Sequence, residues 1–455
     1  MLKAAKLIRP DRLPRSFHAF GTNVILLPLG ILGSILIARS IGPGEKGNLD
    51  LILATAALLG MVLSFSLPTG VTYIVAREKV NIRALAIRLI LISLVFASVA
   101  GGVLAILRYL GRSSSFLPER MGGWIIVGVA VFVFLEMLAN FLRAILNGKQ
   151  EIIKVNHCEL VGRFSQVVML FILAAVLYVL GRRLFVWALF LLSMGVTVLI
   201  NILLIRVLSR YWKESTGEGS SINGVVRFAL PSYLGNLAQF LNYKLDVFIV
   251  SLFAGFASVG RYTLAVSLAQ LLWMLSNGAA TVLLPKVAAN NTAENVSHTA
   301  RVTRLSLSAS LLAAIALGVV AGYALPRLYG EPFRPSVAAL LWLLPGIVAF
   351  SSVNVLAAYI NGIGKPRLNL IVAVASLGVT LTLDFILIPS LGIVGAALAS
   401  TCSYTLSAVL TIWLFIRETR SSVREVVIPN SSDFKLLTSL VRSLMSRAPL
   451  QQVSG

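Results

Sequence analysis

The stretch IGPGEKGNLDLILATAALLGM, residues 41–61, decides the fold, because it returns as AGFASVGRYTLAVSLAQLLWM at residues 254–274. Gly42, Gly47, Leu51, Ala56, Leu58, Leu59 and Met61 recur in order as Gly255, Gly260, Leu264, Ala269, Leu271, Leu272 and Met274, each 213 residues later. A second set lies one residue out of that register: Asn140, Ala144, Asn147 and Gly148 return as Asn354, Ala358, Asn361 and Gly362. Single Leu and Ala matches are cheap in apolar sequence; two ordered sets at nearly one offset are not. Both sets fall on long hydrophobic segments. A duplicated membrane domain is the plan of many secondary transporters, whose substrate sites lie between the repeats.

The solvent follows from composition. Hydrophobic residues make up 58% of the 455-residue chain and charged residues 12%, against about 25% charged in a soluble domain. About 20 apolar residues in a helix cover a bilayer core. Such segments are predicted near 19–41, 49–76, 87–110, 123–146, 155–180, 184–207, 225–254, 259–287, 303–329, 336–361, 367–389 and 393–416. The alternation of a membrane barrel is absent, so the expectation is an all-α polytopic bundle of about twelve spans. Six spans per repeat makes the repeats parallel: 1–207 and 225–416, joined by the polar linker 208–224 and followed by a tail, 417–455.

The net charge of +22 would suggest nucleic acid in a soluble chain. Here Lys and Arg gather about three to one in the tails and even-numbered connections, including Arg77, Lys149 and Arg210, over the odd-numbered ones. That bias places both termini in the cytoplasm, with anionic lipid headgroups and no nucleic acid as partner. The basic first 18 residues precede a span too long for a secretory h-region and read as an uncleaved first helix. Cys158 and Cys402, in different halves, are expected to be free buried thiols. In the tail, Phe434, Leu437, Val441 and Leu444 have the spacing of a short amphipathic helix on the inner leaflet, or belong to a weakly ordered segment.

Polar residues at membrane depth need a reason. Glu136, Asn140, Arg143 and Asn147 share one face of the fourth span. Ser232, Asn236, Gln239, Tyr243 and Asp246 do so on the seventh, and Gln270, Asn277 and Thr281 on the eighth. Such stripes line a cavity or tie helices together by hydrogen bonds. Glu159 and Arg163, four apart, suit an ion pair or an anion ligand held ready by its carboxylate. Lys244 either turns into the cavity or snorkels. Asp246 and Asp384 are the candidates to carry a proton or sodium ion, although Asp384 sits near a span end, where ordinary solvation would suffice. No catalytic, metal or nucleotide motif surrounds His18, His157 or His298, so no cofactor and no enzyme activity is expected.

Several of these residues carry a family resemblance. Ala38-Arg39-Ser40-Ile41-Gly42-Pro43 running to Gly47, Pro231 with Asn242 and Asp246, Val259-Gly260-Arg261-Tyr262, Leu284-Pro285, Asn361-Gly362-Ile363-Gly364-Lys365-Pro366, and Ile388-Pro389 with Gly392 and Gly395 keep an order and spacing. They resemble the polysaccharide (Wzx-like) flippase branch of the multidrug/oligosaccharidyl-lipid/polysaccharide exporter superfamily over roughly residues 17–416. Asp384 departs from the Asn frequent there and permits a local cation or proton site.

The resemblance implies two six-helix lobes in a MATE-like V-shaped bundle that rocks around a central cavity. It implies a multi-pass inner-membrane flippase for a polyprenyl-pyrophosphate-linked oligosaccharide, serving cell-surface polysaccharide biosynthesis beside a glycan polymerase and glycosyltransferases. Arg143, Arg163 and Lys244 are the candidates for the phosphates, because fixed cations suit them. Glu136, Asn140, Asn236, Gln239, Tyr243, Gln270 and Asn277 would line the cavity. Asp246 and Asp384 would couple transport to Na+ or H+. Pro68, Pro231, Pro285 and Pro345 would let helices bend. The alternative on the same scaffold is a Na+- or H+-coupled multidrug exporter.

Overall fold

The duplicated glycines Gly42 and Gly255 are where the two longest helices turn. Their backbones match, with φ 73° and ψ 177° at Gly42 and φ 76° and ψ 174° at Gly255, a conformation open to glycine and poor for other residues. The structure is a computed structural model describing residues 15–78, 80–112, 116–118, 122–181, 185–214, 222–289 and 292–430. In the first half the helices are α1 (Arg15–Ser64), α2 (Leu67–Arg77), α3 (Ile82–Tyr109), α4 (Trp124–Gly148), α5 (Ile152–Val179) and α6 (Val186–Leu208). In the second they are α7 (Ile222–Gln270), α8 (Trp273–Ala289), α9 (Ala293–Tyr329), α10 (Ser336–Gly362), α11 (Pro366–Leu391) and α12 (Ile393–Thr419), followed by the short α13 (Val423–Val427). Among the described residues there is no strand.

Ten of these helices are long and apolar enough to cross a membrane. Gly42 divides α1, and Gly255 divides α7, into two passes each. The second pass is completed by α2 in one half and α8 in the other. The chain is thus an all-α, multi-pass membrane protein of about twelve spans, arranged as two six-span repeats. One face, with Arg77, Lys149 and Arg417 near helix ends, carries the basic excess; the Gly42 and Gly255 turns lie at the opposite face.

At those turns the repeats meet backbone to backbone. A Cβ on Gly47 would lie 1.7 Å from the Phe256 carbonyl oxygen, and one on Gly260 would lie 2.1 Å from that of Pro43. Pro43 and Phe256 are themselves 213 residues apart, so the contact is reciprocal about a pseudo-two-fold axis. Asp50 and Thr263, another pair at that offset, touch across the axis, with the Thr263 hydroxyl donating to the Asp50 carboxylate. Lys46 pairs with the same carboxylate and donates to Thr263 at 3.2 Å.

The second repeated set has its own packing role. A Cβ on Gly148 would lie 2.7 Å from Val75 Cβ, pressing α4 on α2; one on Gly362 would lie 2.9 Å from Val287 Cβ, pressing α10 on α8. Apolar packing follows the duplication too. One cluster is confined to residues 49–208, whereas another within 247–408 also takes in Ala38, Leu51 and Ala54. Both cysteines are free, but only Cys158 is buried; Cys402 is exposed, because its side of α12 faces outward from the helix packing. Beyond α12, Val426 of α13 is buried and Arg304 of α9 donates to the Glu425 carbonyl. The amphipathic spacing at 434–444 lies outside the described residues.

The reciprocal contact leaves no room for a methyl group, whereas a Cβ on Gly44 meets nothing within 4 Å. Gly47→Ala is expected to cost about 3 kcal/mol or more through overpacking, read as a large fall in melting temperature or a loss of folded protein in detergent. Gly44→Ala should melt within a few degrees of the parent.

Candidate functional site

The second pass breaks in mid-course. Helix α1 ends at Ser64, Phe65 (φ 45°) and Ser66 (φ 51°) take left-handed conformations, and α2 starts with Pro68 in its first turn. Non-glycine residues there cost about 1–3 kcal/mol each. Irregular backbone at membrane depth survives only where protein or a cavity satisfies it. Protein supplies part of that: Tyr233 of α7 donates to the Val62 carbonyl at 2.8 Å, and its ring packs on Phe65 with centroids 5.3 Å apart. The rest borders a cavity of about 570 Å3. Its polar wall is Ser64, Ser66 and Thr69 around the break, Glu136 and Asn140 on α4, and Asn236 on α7; Phe132, Phe141 and Phe240 give it aromatic surface.

The second half differs at the corresponding positions, as the repeat register shows. Gly60, on the cavity wall, corresponds to Trp273, and Glu136 corresponds to Phe350 at the offset of the second set. Trp273 and Phe350 stack with centroids 4.9 Å apart, Tyr243 and Tyr404 close around them, and the Trp273 indole donates to the Ile347 carbonyl at 3.0 Å. Aromatic rings fill in the second half the space that a glycine and a carboxylate leave open in the first.

Beside the cavity, Arg143 is fixed by two helices. Its Nε donates to Glu159 Oε1 at 2.6 Å and its Nη1 to Asn140 Oδ1 at 2.8 Å. Both ion-pair side chains retain 23% exposure. The i,i+4 pairing of Glu159 with Arg163 is therefore corrected: α5 turns Glu159 towards α4, where a pre-oriented guanidinium outcompetes a neighbour on its own helix, and Arg163 is exposed. Arg143 is thus the cation that pairs with Glu159. Glu136 accepts from the Thr197 hydroxyl at 3.1 Å.

A second polar centre is buried in the other half. Asp246 is 2% exposed and accepts from the Tyr262 hydroxyl, from its own following amide at 2.8 Å and from Ser400 at 3.4 Å. Asn242, one turn earlier, accepts from Thr380 at 2.5 Å and Ser403 at 3.0 Å. Asp384 is fully buried, and neither carboxylate oxygen has a hydrogen-bond partner among the described residues. The solvation expected of it from its position in the span does not occur, because α11 packs on α7 and α12 at that depth. Asp246 lies within electrostatic reach of Asp384, and Lys244 within reach of Asp246.

The predicted seventh-span stripe is thus shared among three environments. Asn236 reaches the cavity, Asp246 the buried centre, and Tyr243 the aromatic cluster, with Gln239 beside its hydroxyl. Gln270 is half-buried at the α7–α8 break and Asn277 is exposed; neither borders the 570 Å3 cavity. Sequence reasoning missed the break at Phe65–Ser66, the hydroxyls of Tyr262 and Ser400, and Thr197. Pro68 was the available signal for the first.

Comparison with known proteins places this geometry. Residues 17–291 match the polysaccharide biosynthesis protein family and residues 231–386 the MatE family. The chain is 24% identical over 405 residues to the probable low-salt glycan biosynthesis flippase Agl15 of Haloferax volcanii, covering 87% of this chain and 81% of that one. It is 33% identical over 91 residues, 18% of the chain and 20% of the relative, to the probable multidrug resistance protein NorM of Bacillus cereus. Among solved structures, an inward-facing multidrug resistance MATE family transporter aligns with a TM-score of 0.67 at 14% identity, covering 86% of this chain and 94% of that chain. The lipid II flippase MurJ, inward closed, aligns with a TM-score of 0.67 at 12% identity, over 96% and 93%.

Removing one partner of the interhelical ion pair strands the other. Glu159→Gln is expected to cost about 1–3 kcal/mol, below the value for a fully buried pair because both groups keep some exposure. Thermal melts should show that loss largely reversed in Arg143→Gln/Glu159→Gln, while Arg163→Gln melts like the parent.

Proposed function

Because the chain belongs to the polysaccharide biosynthesis protein family, we propose that it is a flippase for a polyprenyl-pyrophosphate-linked oligosaccharide, working by alternating access. It stands with transporters rather than enzymes. The observation that carries this reading is the polar cavity beside a pre-oriented guanidinium. On α4, which runs towards the basic face, Glu136, Asn140 and Arg143 descend one side over about 10 Å at 1.5 Å per residue. A glycan head entering from that face would present its pyrophosphate to Arg143, backed by Glu159, and its sugars to the deeper polar wall. The polyprenyl tail stays in lipid. With the basic face towards the cytoplasm, both termini lie inside and transport runs outward across the inner membrane. Glycosyltransferases would supply the substrate and a glycan polymerase would consume it.

Asp384 supports the coupling half of the reading. A buried carboxylate without partners requires a proton or a cation, and Asp246 beside it makes a shared load possible. A proton or sodium ion moving down its gradient would then bias the closing of the second half, with Lys244 modulating the site.

One observation favours a second reading. A carboxylate among phenylalanine rings also suits a cationic amphiphile, as an ion-coupled multidrug exporter would need. Liposomes decide between them: the flippase reading expects protein-dependent exposure of the polyprenyl-linked glycan on the far leaflet, and the exporter reading expects transport of a lipophilic cation with no glycan movement.

In that assay Arg143→Ala should slow glycan translocation tenfold or more, as loss of a charge-assisted contact implies, with Arg143→Lys in between. Asp384→Asn should leave glycan binding intact and remove the dependence of rate on an imposed ion gradient. Unchanged gradient dependence would take Asp384 out of the coupling path.

A further inference from the structure

The 570 Å3 cavity has a polarity that bears on what it holds. No Lys, Arg or His is among the described residues lining it. Its one charged group is Glu136, on α4 about halfway between the helix ends. Thr197 donates to one oxygen of that carboxylate, and the other has no protein donor among the described residues. Asn140 faces the same space but spends its side-chain carbonyl on Arg143, which leaves its amide group to donate. The wall also carries Ser64, Ser66, Thr69 and Asn236. Glu136 is the one ionised group among these neutral polar side chains, and three aromatic rings flank them.

The divergence of the repeats makes this polarity specific to the cavity. The position of Glu136 is held in the second half by Phe350, packed against Trp273, with no space between them. A carboxylate at that position is therefore not demanded by the helix packing, which tolerates an aromatic ring in its place. It coincides with the half whose break borders the 570 Å3 cavity.

Resting on the flippase reading, we propose that this cavity receives sugar rings that bear hydroxyl or amino donors and no carboxylate, and that Glu136 excludes uronic-acid-type rings from it. The fit is chemical. Sugar hydroxyls and ammonium groups donate to the Glu136 carboxylate, and the apolar faces of the rings lie on Phe132, Phe141 and Phe240. The size is that of a pocket for a small organic ligand, within the usual range of about 300–1,000 Å3, so it takes the few rings nearest the pyrophosphate rather than a whole repeat. A ring carboxylate placed there would face the Glu136 carboxylate at close range in a medium of reduced dielectric, where like charges repel strongly. Only the pyrophosphate end finds a cation, at Arg143, outside the cavity wall.

The experiment compares two polyprenyl-pyrophosphate trisaccharides identical except that the first ring is glucose in one and glucuronic acid in the other. Both are offered to the full-length protein in liposomes, and exposure on the far leaflet is measured for the parent, Glu136→Gln and Glu136→Asp. The expected result is a preference of the parent for the glucose form by about tenfold, a preference of Glu136→Gln narrowed to within about twofold, and a parent-like preference in Glu136→Asp. Melting temperatures establish that each variant is folded; if Glu136→Gln is not, Glu136→Asp and Phe132→Ala, which should slow both substrates equally, carry the comparison. Equal rates for the two glycans in the parent, or an uronate preference, would overturn the assignment and leave the flippase reading standing. Movement of neither glycan, with a lipophilic cation transported instead, would overturn the flippase reading itself.

Discussion

The reciprocal approach of Gly47 to Phe256 and of Gly260 to Pro43 is the constraint on which the rest of the structure depends. Two backbones at such separation admit no side chain, so they fix the pseudo-two-fold axis and the depth at which the halves touch. From there α1 and α7 run towards the basic face, each after a turn at a glycine with positive φ, and they meet again where Tyr233 donates to the Val62 carbonyl beside the break. The Lys46–Asp50–Thr263 group sits at the same level, adding polar contacts that a relative rotation of the halves must break.

The two halves share a frame and differ in what they place on it. At the breaks, Gly60 and Glu136 in the first half stand where the second has Trp273 and Phe350. The exchange is reversed around the buried acids. Asp246 corresponds to Gly33 and Asp384 to Leu170, and a Cβ on Gly33 would lie 3.9 Å from Leu170 Cδ2. Apolar contact in one half is thus replaced by a carboxylate centre in the other. At the breaks the first half borders a cavity where the second places aromatic rings, and the second holds Asp384, whose carboxylate has no hydrogen-bond partner among the described residues; α7 links the two regions, since it carries both Asn236 and Asp246.

Much of this was legible in the sequence. The repeated glycines carried the turns, the reciprocal contact and the α4–α2 and α10–α8 packing, since each position tolerates nothing larger than hydrogen or needs a positive φ. Hydrophobic run length gave the passes, although it could not show that Gly42 and Gly255 bend continuous helices. Spacing also placed Glu136, Asn140 and Arg143 on one face, because α4 is regular. It failed where partners come from other helices. Glu159 has an intrahelical partner by spacing and an interhelical one in space, and Asp384 looked solvated because depth within a span says nothing of what packs over it. The Phe65–Ser66 break uses residues with no intrinsic preference for left-handed backbone, so composition gave no sign of it beyond Pro68.

Alternating access, as proposed, requires the halves to part at the pseudo-two-fold axis. Its most direct test places cysteines at Asp50 and Thr263, with Cys158 and Cys402 replaced by Ser, and joins them by oxidation or a short thiol cross-linker in liposomes. The account predicts that joined protein stops moving the polyprenyl-linked glycan and that reduction of the disulfide restores it. Equal translocation by the joined and reduced forms would contradict the account.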